Sequence, residues 1–68
     1  MSALYRCFFF DLDHKISGFR DIDASSDPEA IVAAKALSVE HHARAFELWR
    51  GMRHLHSESI GNTNNIRP

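Results

Sequence analysis

Apolar and polar positions alternate in short runs along most of this chain, and the spacing becomes helical only once. Leu4-Tyr5-Arg6-Cys7-Phe8-Phe9-Phe10 carries apolar groups on both faces when extended. Leu4, Phe8 and Phe10 share one face with Arg6, and Tyr5, Cys7 and Phe9 share the other. A run that is apolar on both sides predicts a central strand. Asp11-Leu12-Asp13-His14-Lys15 then reads as a turn, because Asp side chains bond nearby backbone N–H groups and tolerate turn geometry. Ile16 to Asp23 alternates as a second strand, with Gly18 at the place of a bulge.

The spacing changes after Ser25. Asp27 can cap a helix with Pro28 at its first position, or Ser26 can cap it with Glu29 reaching back. The residues that follow are strong helix formers, and Ala30, Ile31, Ala34 and Leu37 form an apolar stripe. His41 and His42 fall near the helix end, where positive charge suits the dipole. Ala43 to Arg50 and Met52 to Glu58 alternate again and read as a hairpin. Its predicted two-residue loop is Arg50-Gly51, with Gly51 supplying left-handed backbone and Arg50 tolerating it.

The expected architecture is therefore α+β: β-β-α-β-β, a four-stranded, mainly antiparallel sheet with one helix on one face. Residues 1–58 form the expected single domain, and residues 59–68, almost without apolar groups, an expected disordered tail. One helix cannot cover both faces of a sheet whose first strand carries aromatic rings on both. The uncovered face predicts a homodimer, sheet face to sheet face or through strand edges, or a protein or small-molecule ligand, with Tyr5, Phe9, Phe19, Trp49 and Arg53 as its lining. A sheet curled over its own rings is the competing arrangement.

Composition narrows the function classes. At 68 residues the core is thin, yet 44% hydrophobic and 25% charged residues are ordinary for a folded domain. A formal net charge of -1 disfavours a nucleic-acid binder, although Arg6, Arg44, Arg50 and Arg53 near strand aromatics could make a stacking platform. The one cysteine, Cys7, sits in an apolar run as a buried thiol and cannot form an internal disulfide. No stretch has the length of a membrane span or the layout of a secretion signal, so a cytoplasmic protein is expected. No cofactor motif and no Gly-rich nucleophile elbow are present, and with only three glycines there is no phosphate-cradling loop. These features lean away from an enzyme.

Two motifs invite chemistry. Phe8-Phe9-Phe10-Asp11-Leu12-Asp13 resembles, over six residues, the first strand of haloacid-dehalogenase-type phosphatases. There the first Asp is the nucleophile and the second the acid/base, with Mg²⁺ beside them. The likeness stops at His14-Lys15, and the chain is too short for that fold, so Asp11 and Asp13 are read as turn formers. Of the five histidines, His54 and His56 stand two apart on a strand and should share a face, a spacing that could bind Zn²⁺ with a third ligand. His41, His42 or Asp13 could supply that ligand only if the fold brought one of them near. Surface histidines on an exposed strand are the preferred reading.

From Tyr5 to His56 the chain resembles a family of short uncharacterised bacterial proteins, mainly alphaproteobacterial. The resemblance rests on Tyr5 to Asp11, on Asp27 to Ile31, and on Glu47-Leu48-Trp49-Arg50-Gly51-Met52-Arg53. It implies a small cytoplasmic α+β protein and carries no catalytic residue. Relatives tend to have Asp-Gly in the first turn, where this chain has Asp13-His14.

Overall fold

A computed structural model describes residues 2–60 of the chain. The elements run β1 (Ala3–Phe10), β2 (Ile16–Ala24), α1 (Asp27–Glu40), β3 (Ala45–Arg50) and β4 (Arg53–Ser59). The four strands form one antiparallel sheet in the order β2-β1-β3-β4, so the expected α+β arrangement is present. Both β2 and β3 run opposite to β1. They are therefore parallel to each other, and α1 links them across the face of β1.

That crossing decides which face is sealed. Tyr5, Cys7 and Phe9 of β1 and Phe46 and Leu48 of β3 lie beneath the helix, each 3% exposed or less. The helix brings small groups: Ala30, Ala34 and Ser38 are its fully buried residues, one turn apart. Its backbone can thus approach the rings closely, and the rings supply most of the core volume. Ile31 and Leu37 flank this stripe and are half-buried.

The helix start resolves the two capping alternatives. Ser26 is the N-cap, and its hydroxyl accepts from the Glu29 N–H at 3.3 Å. The Glu29 carboxylate reaches back one residue further, accepting the Ser25 N–H at 2.7 Å and the Ser25 hydroxyl. These bonds hold the Glu29 carboxyl below its ordinary range. Asp27 is left free for Tyr5, whose buried hydroxyl donates to it at 2.6 Å. The Asp27 contact in turn pushes the Tyr5 phenol above its usual value.

The helix ends in a Schellman motif. The Ala43 N–H bonds Ser38 O at 2.9 Å, the His42 N–H bonds Val39 O at 3.1 Å, and His42 sits at φ 58°. Glycine is the usual occupant of that left-handed position, and a side chain there costs about 1 kcal/mol. Because His42 is exposed and its ring has no hydrogen-bond partner among the described residues, His42→Gly is expected to raise stability by about 0.5–1 kcal/mol, a rise in Tm of roughly 4 °C. Thermal unfolding followed by circular dichroism checks this.

Two local features differ from expectation. The hairpin loop is Gly51-Met52, because Arg50 pairs with Arg53 inside the ladder. Gly51 takes φ 62°, and among the described residues only His14 and His42 join it with positive φ. Positive φ at the first loop residue alone is the type II′ pattern, which explains the shift by one residue. The first turn forms as expected, with His14 at φ 62° and Asp11 Oδ1 accepting the N–H groups of Asp13 (2.9 Å) and Lys15 (3.0 Å). Finally, β4 continues through Ser59, and Ile60 packs on the core with its N–H on Arg44 O at 2.7 Å. The domain therefore extends past residue 58, and the rest of the expected tail, residues 61–68, lies outside the described residues. The Gly18 bulge is present: the β1–β2 register slips between Phe9 and Phe10, leaving Ser17 as the additional residue.

Candidate functional site: the open sheet face

The sheet face away from α1 is built row by row from the strand register. One row is Asp21–Arg6–Trp49–His54, running β2-β1-β3-β4, and the next is Phe19–Phe8–Glu47–Ser57. Directly opposite residues share a face, so these eight side chains lie together. Leu4 and Phe10 extend the strip along β1.

Three of the five residues expected to line this surface are elsewhere. Tyr5 and Phe9 lie under the helix, at 1% and 3% exposure. Arg53 pairs with Arg50, whose guanidinium lies 5.7 Å from the Tyr5 ring on the helix side. Phe19 and Trp49 do occupy the open face. The missed members are Arg6 and Phe8. A charged side chain in the middle of a central strand avoids the buried side, and that was the available signal.

Arg6 organises the face. It holds Asp21 through both carboxylate oxygens, Nε at 2.9 Å and Nη2 at 3.4 Å. Its guanidinium carbon sits 4.4 Å from the centre of the Phe19 ring. Phe19 tilts against Phe8 at 6.2 Å between ring centres. The Arg6 pairing keeps the Asp21 carboxyl below its ordinary range and the guanidinium above its own. On the other flank, Trp49 Nε1 donates to Glu47 Oε1 at 3.1 Å, and the His54 ring meets the indole edge-on at 5.1 Å. Between these flanks Arg6, Phe8, Trp49, Gly51 and Met52 enclose an open depression of about 440 Å³. Large apolar groups remain in water here: Leu4 is 63% exposed, Phe19 46% and Met52 97%. The rings touch one another, but the sheet does not curl far enough to hide them.

The two hairpin histidines do not share a face. Trp49 pairs with His54 and Leu48 with His56, so Leu55 is an additional residue in β4. This bulge turns His54 to the open side and His56 to the helix side, with Leu55 packed on the core. There His56 Nε2 lies 3.1 Å from Glu58 Oε1, and Lys35 Nζ of the helix lies 3.0 Å from Glu58 Oε2. Those two partners hold the Glu58 carboxyl below its usual range. The expected two-histidine pair is thus split. Among the described residues no group of three or more His, Cys, Asp or Glu could hold a metal ion.

Asp11 Oδ1 ties its turn together, and Cys7, wholly buried, lies 3.9 Å from the Ser38 hydroxyl. Burial pushes that thiol up, which makes it a poor nucleophile. Among the described residues no helix is long and apolar enough to cross a membrane. No protein-family model, curated protein or solved structure matches this chain.

Proposed function

We propose that the chain is a small non-enzymatic interaction module whose open sheet face pairs with a second copy of itself. One observation carries the reading: the helix seals one face, while Leu4, Phe8, Phe19, Trp49 and Met52 surround Arg6 on the other in a continuous strip facing water. Exposed apolar strips of this kind mark contact surfaces, and Trp and Arg dominate binding when they sit at the centre. A cytoplasmic setting belongs to the same reading, and the reduced, buried Cys7 suits it.

Size sets the expected strength. Four strands about 4.8 Å apart and six residues long at about 3.4 Å each give a footprint on the order of 400 Å². That is roughly half the area per partner of a standard interface, so association should fall in the micromolar range or weaker.

The test is a dilution series on the full chain, from about 1 μM to about 1 mM, read by sedimentation equilibrium and by Trp49 fluorescence. Trp49 is the sole tryptophan, and it is half-exposed on the proposed contact surface. Mass should rise from 7.8 kDa toward twice that value. Trp49 emission should move to shorter wavelength over the same range. A doubled mass with unchanged emission would place the contact elsewhere, and a constant monomer mass would leave the face to a different protein or a small ligand.

A further inference from the structure

The register row across the open face is complementary to itself. Reading from β2 to β4 it runs acid, cation, aromatic ring, imidazole: Asp21, Arg6, Trp49, His54. The middle of that row falls between β1 and β3. A two-fold axis along the strands at this midpoint lays Arg6 over the partner's Trp49 and Asp21 over the partner's His54. Each contact then occurs twice, as an isologous interface requires.

We infer that two copies pair through this axis, with each Arg6 guanidinium held between its own Phe19 and the partner's Trp49. The inference rests on the self-association proposed above and specifies its geometry. Arg6 already lies over Phe19 with its guanidinium carbon 4.4 Å from the ring centre, and it is anchored there by Asp21. The Arg6 side chain is 48% exposed, and guanidinium groups stack well on indole. The depression bounded by Arg6, Phe8, Trp49 and Met52 is the space into which the partner's side chains would settle.

The alternative axis runs across the strands. Centred on this row, it sets Arg6 against the partner's Arg6 and Asp21 against the partner's Asp21. Like charges facing each other oppose association, so the row itself selects the first axis. The remaining cost in the chosen arrangement is Glu47, which comes to lie opposite the partner's Phe8. The indole N–H that Glu47 accepts from Trp49 lessens that cost.

Cross-linking separates the two axes. Asp21 and His54 are both exposed, so Asp21→Cys and His54→Cys leave the fold intact, and native Cys7 is too buried to react. The two variants, separately and mixed, are treated with a short bis-maleimide, and the products are resolved by mass. The inference expects the 21–54 product to dominate the mixture and both separate samples to give little dimer. Two copies of position 21 are about three strand spacings apart sideways, roughly 14 Å, beyond the reagent's reach once sheet separation is added. Homo-linked products of either variant, or no cross-link while the untreated mixture of the two variants still doubles its mass, would overturn this geometry and leave self-association standing. A protein that stays monomeric in the sedimentation series would remove both.

Discussion

Phe46→Ala is expected to remove about 4–5 kcal/mol, a large part of the stability of the chain. Phe46 is fully buried between β1 and α1, opposite Phe9 in the ladder and 5.9 Å from the His56 ring. Removing a buried phenyl group costs about 3–5 kcal/mol. A chain of 68 residues has roughly 3–10 kcal/mol of stability to lose. The upper part of that cost applies here, because the helix above presents Ala30, Ala34 and Ser38. Groups that small cannot extend into the hole, and the helix itself is held in place by its Ser26 cap and the bond from Tyr5 to Asp27. Urea unfolding followed by circular dichroism checks the loss. Val32→Ala, at a helix position 71% exposed, is the control and should change stability by less than about 0.5 kcal/mol. Equal effects at both positions would contradict this account of the core.

The order and type of the elements could be read from local chemistry alone. The switch from strand to helical spacing after Ser25 and the aromatic run of β1 marked the helix and the central strand. What escaped depended on long-range geometry. Alternation in β1 separates Tyr5, Cys7 and Phe9 from Leu4, Arg6, Phe8 and Phe10 but does not say which set the helix covers. Arg6 held that information, since its charge would be stranded beneath α1, and Asp21 and Asp23 on the facing strand repeat the message. Aromatic size was a poorer guide than charge at this point. His54 and His56 misled for a different reason. Their spacing places them on one face only in an unbroken ladder, and no residue type near Leu55 announces the bulge. The hairpin loop moved by one residue because Gly51 serves as the first loop position rather than the second.

The second large effect concerns association rather than folding. Trp49→Ala should raise the dimer dissociation constant by roughly a thousandfold. A central tryptophan contributes about 2 kcal/mol or more at a contact surface, and a two-fold interface loses it twice, for about 4 kcal/mol. The fold should survive, because Trp49 lies on the open face and its indole N–H donates to Glu47 on its own strand. The helix-side neighbours Leu48 and Phe46 stay packed in that variant. Unchanged far-ultraviolet circular dichroism therefore accompanies the expected loss.

The central claim is that the face opposite α1, with Trp49 and Arg6 at its middle, pairs with the same face of a second copy. Sedimentation equilibrium of the unaltered chain beside Trp49→Ala, at matched high concentration, tests it most directly. The account predicts a mass near that of a dimer for the former and near that of a monomer for the latter. Equal masses for the two, whether both dimeric or both monomeric, would contradict it.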